Sequence, residues 1–328
     1  MKRRDFITGI AATATQVGSG VRVSSAQGPA AANIGFISGL DQAAAADFVR
    51  ALREGLAARG YVEPGNVKME LLFADYHLDR IPALVEELKR RRVDVIVTHA
   101  AATYEVVKHQ RTIPVVYEFS ADPISLGIAA DLAHPLYNAT GITLMMAEMN
   151  GKRLELLHEI VPQIRRVAVL ANPLHPGMQF EWADLEAKAK QIGIKADVFP
   201  IPNRAELDHA VAAIDADPPQ ALVAFSDAFV VENRNYIVNF AMSRRLPVIS
   251  GWAVMADSGA LCTYGPRLVE SYRRTAYFID RILKGAKPAE LPIEQPTVLE
   301  LVINLNSAKT LGITIAPTVL VRADRVIE

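Results

Sequence analysis

The sequence predicts an α/β protein of two lobes, each built around a parallel sheet. Short buried apolar runs alternate with amphipathic helical stretches, which is the pattern of β-α units. The pattern begins again after Thr143, so the chain contains two such series in tandem. With 328 residues, of which 51% are hydrophobic, the chain is long enough to give each series its own core.

The first series consists of four strands separated by helices. The strand at 33–38 ends at Gly39, and the helix that follows it ends at Gly60. The other predicted elements are strands at 67–73, 93–98 and 113–117, a helix at 78–92 and a helix ending near Gln110. Because each strand is followed by a helix, we expect parallel strands with right-handed crossovers.

The second series has the same alternation. Its predicted helices lie at 151–161, 180–192, 205–214 and 230–244, and its strands at 167–171, 196–200, 221–225 and 247–250. A strand at 260–264 and a long helix at 268–283 follow. The remaining tail, with apolar runs at 299–303 and 319–321, is too short for a domain and should complete a lobe already formed.

Residues 1–30 differ from the rest of the chain and predict an export signal. Arg3 and Arg4 precede Phe6-Ile7, a mild Ala/Thr/Gly-rich stretch follows, and Ser24-Ser25-Ala26 offers small residues for cleavage. The Arg-Arg-x-Phe-Ile sequence resembles the twin-arginine signal, which a receptor reads as an address. The alternative is a basic, frayed N-terminus. We expect an exported protein that is soluble in the periplasm after the signal is cleaved.

Composition and motifs exclude several classes of site. The formal net charge of −1 gives no electrostatic case for binding nucleic acid. The single cysteine, Cys262, excludes an intrachain disulfide framework and a cysteine-based zinc site. The sequence contains no dinucleotide fingerprint, P-loop, nucleophile elbow or H-E-x-x-H motif. We therefore predict no catalytic residues, no metal and no cofactor.

The polar residues that follow the predicted strands form the candidate ligand site. The strand at 113–117 runs directly into Glu118, and in open α/β sheets ligands bind at this carboxyl edge. The predicted ligand-binding residues are Ser38, His99, Thr103, Phe119, Ser120 and Asp122 from the first series and Asn172, His175, Asp227, Phe229, Trp252 and Tyr264 from the second.

Each residue type suggests a role. The rings of Phe119, Phe229, Trp252 and Tyr264 would sandwich a planar ligand. Hydroxyls and helix-start amides at Ser38, Thr103 and Ser120 would hold a carboxylate. An ammonium group would pair with Asp122 or Asp227, with Glu118 as the weaker candidate.

Each assignment also has a structural alternative. Asp122 and Asp227 precede predicted helices and are equally typical of helix caps. Trp252 and Tyr264 would otherwise pack, and Asn172 before a proline would shape a turn. His99 and His175 fit polar lining better than metal binding, because no third ligand with zinc-like spacing accompanies them.

Several segments resemble the substrate-binding proteins of ABC transporters, in the family that includes tryptophan- and tyrosine-binding members. The resemblance covers nearly the whole chain after the predicted signal. It is carried by GYVEPGNV (60–67), DRIPALVEEL (79–88), VDVIV (93–97), ADPISLGIAADLAHP (121–135), NATGIT (138–143), GKRLELLHEIVPQIRRVAVLANPLHP (151–176), LPVISG (246–251) and LKGAKPAELPIEQPTVLELVINLNSAKTLGITI (283–315).

The resemblance implies the type I periplasmic-binding-protein fold, in which two Rossmann-like lobes are joined by three crossings and close on a ligand. The crossings would fall near 141–145, 262–265 and 292–297. The first lobe would comprise 31–143 and about 264–293, and the second 144–263 and about 294–328, by analogy with two-domain α/β chains.

The resemblance also implies a function. A monomer would capture a small ligand, such as an aromatic amino acid or aromatic carboxylate, and deliver it to the membrane subunits of an ABC permease. Two alternatives remain from other classes. One is a sensory module that presents its closed form to a membrane receptor. The other is an exported enzyme, which would require a base–nucleophile pair in the cleft.

Overall fold

The computed structural model describes residues 31–144 and 149–328 and places them in two α/β lobes. The predicted export signal lies outside the described residues, as does part of the first predicted crossing. No helix in the described part of the chain combines the length and apolar content that crossing a bilayer requires.

The first lobe contains a five-stranded sheet with all strands parallel, in the order β2-β1-β3-β4-β5. Its strands are β1 (Ala32–Ser38), β2 (Val67–Phe73), β3 (Val95–His99), β4 (Val115–Phe119) and β5 (Ala139–Thr143). Its helices from the N-terminal half are α1 (Ala46–Ala57), α2 (Ile81–Arg90) and α3 (Ala102–His109). The predicted β-α alternation of the first series is therefore confirmed.

The second lobe contains a seven-stranded sheet in the order β12-β11-β10-β9-β8-β6-β7. Its strands are β6 (Arg166–Ala171), β7 (Lys195–Pro200), β8 (Ala221–Ala224), β9 (Val248–Ser250), β10 (Cys262–Pro266), β11 (Leu299–Asn304) and β12 (Arg325–Ile327). Strands β10 and β11 pair antiparallel, whereas the other neighbours pair parallel. The C-terminal tail thus extends this sheet.

The remaining helices connect these strands or pack on them. They are α4 (Asn150–Ile160), α5 (Met178–Ile192), α6 (Arg204–Ala216), α7 (Ala228–Glu232), α8 (Arg234–Ser243), α9 (Ala253–Asp257), α10 (Leu268–Leu283), α11 (Leu305–Leu311) and α12 (Pro317–Leu320). Several ends have local causes. Asn203 caps α6 by accepting a hydrogen bond from the Glu206 amide at 3.0 Å, and α5 ends at Gly193 with φ 71°.

The helix expected at 230–244 is two helices. Asp227 caps α7 by accepting from the Phe229 amide at 2.9 Å, so the first helix begins earlier than the apolar pattern suggests. The Asn233 side chain then donates to the Phe229 carbonyl at 2.9 Å. This bond satisfies a carbonyl at the end of α7 and marks the junction with α8.

The chain passes between the lobes three times. It leaves β5 for α4, leaves β10 for α10, and returns through the segment before β11. Helix α10 packs against α1, with Phe278 and Ile279 in the same hydrophobic cluster as Phe48. Glu294, in the third passage, exchanges backbone hydrogen bonds with Gly141 and Thr143, so two passages lie side by side.

Candidate functional site

The lobes face each other across a cleft that contains two adjoining cavities. The main cavity, of about 580 Å³, lies between the strand ends and helices of the first lobe and the α7, α8 and α9 region of the second. The side cavity, of about 420 Å³, shares four of its lining residues: Leu40, Ala100, Ala228 and Glu232. The two cavities therefore form one continuous cleft whose size suits a small organic ligand.

Strand periodicity decides which side chains reach the main cavity. Side chains alternate between the two faces of a strand. In β4, Val116 joins the cluster that contains α1 and α10, so Glu118 lies on that same face. Tyr117 and Phe119 join the opposite cluster. His99 is the register partner of Glu118 on β3 and also lines the main cavity.

One wall of the main cavity is aromatic. The His99 ring lies 4.5 Å from the Phe48 ring and 5.7 Å from the Phe36 ring, and the Tyr272 ring lies 4.3 Å from that of Phe48. His99 Nε2 lies 2.9 Å from Ser38 Oγ, which accepts a hydrogen bond from the Leu40 amide. Burial lowers the pKa of His99 to about 4, so its imidazole is neutral near pH 7.

Two buried polar groups line the same cavity without partners among the described residues. Glu118 is 2% exposed and its Oε1 makes no hydrogen bond. Trp252, from the second lobe, is 6% exposed and its Nε1–H is likewise unpaired. Burial raises the pKa of the Glu118 carboxyl to about 8. The cavity thus presents one carboxyl and one indole donor.

A hydrogen bond joins the lobes beside this cavity. Ser120, which lines the main cavity, has its Oγ 2.6 Å from His175 Nε2 of the second lobe. His175 Nδ1 in turn lies 3.4 Å from Glu181 Oε1. Nearby, Gly177 lies so close to Ala121 that a Cβ on the glycine would stand 2.8 Å from the alanine Cβ. The lobes are therefore in direct contact.

A second inter-lobe contact lies at the side cavity. Tyr76 belongs to the first lobe and Glu232 to α7 of the second. Burial raises the pKa of the Tyr76 hydroxyl, and its hydrogen bond to Glu232 raises it further. Together with the Ser120–His175 bond, this contact places the structure in a closed state.

Arg153 anchors the second lobe's side of the closed cleft. Its Nε donates to the Tyr264 carbonyl at 2.8 Å, and its Nη1 donates to Asn150 Oδ1 at 2.7 Å. Burial lowers the pKa of this guanidinium to about 10. A Cβ at Gly251 would overlap the guanidinium, so that position requires the absence of a side chain. Arg153 thereby ties α4 to β10 and to the turn after β9.

The structure brings eight of the predicted ligand-binding residues to or behind the cleft. His99, Ser120 and Trp252 line the main cavity, and Asn172, Asp227 and Phe229 line the side cavity. Asp227 caps α7 and also accepts from Asn172 Nδ2 at 3.0 Å, so its carboxylate is already engaged by two groups of the protein at the side cavity. Ser38 and His175 lie one step behind, each bonded to a lining residue.

The other four predicted residues lie elsewhere. The Thr103 hydroxyl is buried and faces the Glu118 carbonyl at 3.5 Å, and Phe119 lies on the opposite face of β4. Asp122 caps its own turn by accepting from the Ile124 amide at 2.9 Å. Tyr264 lines a separate depression on the second lobe, beside Lys152. None of the four lines either cavity of the cleft, and their role as ligand contacts stays a prediction.

The sequence patterns did not single out some of the residues that line the main cavity. Glu118 was the weaker acidic candidate. Alternation places it on the same face as Val116, but only the structure shows that this face meets the cleft. Phe48 and Tyr272 belong to the apolar stripes of α1 and α10 and carried no signal beyond packing. In the described ranges, no three His, Cys, Asp or Glu side chains converge as a metal site would require.

The family model described as "ABC transporter substrate binding protein" matches residues 33–327. A conserved domain protein from Vibrio cholerae O1 biovar eltor has a TM-score of 0.82 and 26% identity, covering 90% of this chain and 99% of that one. An ABC domain from Streptococcus pneumonia, solved in complex with L-Trp, has a TM-score of 0.83 and 23% identity, covering 91% and 100%.

One curated protein also matches part of the sequence. The chromosome partition protein MukB of Vibrio vulnificus (strain CMCP6) is 27% identical over 150 residues. The match covers 42% of this chain and 10% of that protein. This chain therefore spans about a tenth of the length of the curated relative.

Proposed function

Because the chain belongs to the ABC transporter substrate-binding protein family, we propose that it is an exported, monomeric solute receptor that delivers its ligand to an ABC permease. The ligand binds between the lobes and stabilises the closed state, because only that state lets one molecule touch both lobes at once. The closed form is then the form that the permease recognises. No catalytic step is part of this function.

The main cavity is the observation that supports this proposal. It is about 580 Å³ in volume, and both lobes contribute side chains to it. Its wall of Phe48, His99 and Tyr272 offers flat apolar surface, and Trp252 faces it from the second lobe. We propose an aromatic amino acid or a related aromatic compound as the ligand, which agrees with the L-Trp bound by the streptococcal neighbour.

A thermal-shift titration of the chain from Gln27 tests the proposal. L-Tryptophan, L-phenylalanine and L-tyrosine are the probes, and a ligand at a hundredfold excess over its Kd stabilises the folded state by about 2.7 kcal/mol. We expect at least one probe to raise the melting temperature of the wild type. Trp252→Ala should lose the shift, whereas Tyr264→Phe, outside the cleft, should keep it. Silence of all three probes contradicts the aromatic ligand.

A second candidate function rests on the spatial arrangement of Ser120, His175 and Glu181, in which His175 lies between the other two side chains. A serine hydroxyl, an imidazole and a carboxyl in sequence are the groups of a hydrolase nucleophile. Two features favour binding instead. All three side chains are at most 5% exposed, and burial raises the pKa of Glu181, which favours the neutral acid over the anion that would stabilise an imidazolium. Hydrolysis of p-nitrophenyl acetate that disappears in Ser120→Ala would favour the enzyme.

A further inference from the structure

The charged side chains that line the main cavity are not those expected of an anion-binding site. Acidic side chains outnumber basic ones in its lining, where the basic side chains are Arg234 and Arg267. Arg267 Nε already lies 3.4 Å from Glu300, and Arg234 Nη1 donates to the Val231 carbonyl at 2.8 Å. The neutral His99 adds no positive charge. The lining therefore favours a cation over an anion.

Glu118 and Trp252 restrict which hydrogen-bonding groups a ligand of this cavity can carry. Buried polar groups almost always have hydrogen-bond partners, yet Glu118 Oε1 and Trp252 Nε1–H have none in the described chain, and both line this cavity. An ionised carboxyl only accepts, whereas an indole N–H only donates. A ligand that pairs with Glu118 in its ionised form and with Trp252 must therefore carry a donor and an acceptor.

We propose that Glu118 and Trp252 determine ligand specificity, with Glu118 receiving an ammonium group of the ligand and Trp252 donating to a ligand oxygen. The main cavity then selects amines with an apolar body, such as amino acids, over carboxylates that lack an amine. This inference rests on the proposed function and narrows the class of ligand. An aromatic ring without an amine would not be enough for tight binding. A carboxylate without an amine offers Glu118 no donor, and its negative charge would oppose the ionisation of the Glu118 carboxyl.

Proton release should accompany the binding of an amine. The Glu118 carboxyl is mostly neutral at pH 7, and an ammonium group stabilises its anion. Ionisable groups from several elements line the same cavity as Glu118. They are Asp41, Asp47 on α1, His99 on β3, Glu232 on α7, Arg234 on α8, Asp257 on α9, Arg267, Glu270 and Tyr272 on α10, and Glu300 on β11. Burial lowers the pKa of His99 and raises that of Tyr272, so both stay neutral between pH 6 and 8.

Three probes with one ring system separate the two polar groups. Tryptamine carries the amine alone, indole-3-propionate the carboxylate alone, and L-tryptophan both. In calorimetric titrations of the wild type we expect L-tryptophan and tryptamine to bind, and indole-3-propionate to bind about 10- to 100-fold more weakly than tryptamine. Tryptamine affinity should rise between pH 6 and pH 8, by at most about tenfold per unit.

Two conservative variants assign the contacts. Glu118→Gln keeps the shape but cannot ionise, so tryptamine and L-tryptophan should both weaken about tenfold or more and lose the pH dependence. Trp252→Phe keeps a ring but removes the N–H, so L-tryptophan should weaken while tryptamine, which has no acceptor oxygen, should not. A merely structural role for either residue would weaken all probes alike and overturn the assignment.

The outcomes also separate this inference from the proposed function. Binding of indole-3-propionate as tight as that of tryptamine overturns the selection for amines and leaves an aromatic solute receptor standing. Silence of all three probes overturns the aromatic ligand and this inference together. Melting curves of both variants, recorded without probe, establish that they fold.

Discussion

The Glu118 carboxyl lies at the end of β4 with 2% of its surface exposed. Burial raises its pKa from the ordinary 4.5 to about 8, so between these pH values the folded chain holds a proton that the unfolded chain does not. The stability that depends on the neutral carboxyl is therefore fully present below pH 4.5 and is lost as the pH rises toward 8. The loss is at most about 1.4 kcal/mol per pH unit.

Glu118→Gln should remove this pH dependence. We expect the variant to be more stable than the wild type at pH 8 and equally stable near pH 4.5, because an amide needs no proton to stay neutral. Chemical denaturation at the two pH values measures the difference. Glu105→Gln is the matched control. Glu105 is partly exposed on α3, so this variant should show the same pH dependence of stability as the wild type. A wild type whose stability does not fall between pH 4.5 and pH 8 would contradict the burial of a neutral Glu118.

The same residue shows how far the sequence alone leads at this scale. A carboxyl, a ring and a hydroxyl follow one another at 118–120, and composition cannot rank them. The two-residue period of β4 separates Glu118 and Ser120 from Phe119, and the structure shows that the first two lie at the cleft whereas Phe119 lies in the core of the lobe. Tyr264 could not be placed this way, since nothing in the sequence tells which face of β10 meets the cleft.

Among the elements, the loops after β4 and β6 hold the lobes together through Ser120 and His175. These residues are 55 positions apart and their atoms lie 2.6 Å apart. An intramolecular hydrogen bond of this kind contributes about 1 kcal/mol, which corresponds to a roughly fivefold change in a two-state equilibrium. The closed state thus has a polar contact that opening must break.

Ser120→Ala should shift the equilibrium of the ligand-free chain toward open forms by roughly fivefold. Hydrogen exchange in the loops after β4 and β6 measures the shift, and exchange there should become faster. Ser125→Ala is the matched control, because Ser125 is exposed and its Oγ donates to Asp122 within the same turn. Equal exchange in both variants would show that the Ser120–His175 bond does not hold the lobes.

The sequence predicted most elements but not their junctions. Buried strands and amphipathic helices are local patterns, so nine of the first ten strands were predicted. The exception is β5, because the pattern gave the first series four strands where the structure has five. The break between α7 and α8 depends on one side-chain bond from Asn233 to the Phe229 carbonyl, which no periodicity shows. The antiparallel pairing of β11 with β10 joins residues about forty positions apart and likewise leaves no local signal.

At the scale of the whole molecule, the repeat after Thr143 predicts two lobes, and the structure has two. What the sequence could not supply is their relative position, because the cleft depends on pairs such as Ser120–His175 and Tyr76–Glu232. The proposed function depends on this cleft: we propose that one ligand contacting β3, β4 and α10 on one side and Trp252 on the other stabilises closure.

Small-angle scattering of the chain from Gln27, with and without saturating L-tryptophan, tests this account most directly. We expect the amino acid to reduce the radius of gyration of the wild type and to leave Trp252→Ala unchanged, because that variant lacks the indole ring that lines the cavity from the second lobe. Calorimetry on the same samples establishes whether L-tryptophan binds. Binding without compaction, or compaction that persists in Trp252→Ala, would contradict capture of the ligand between the two lobes.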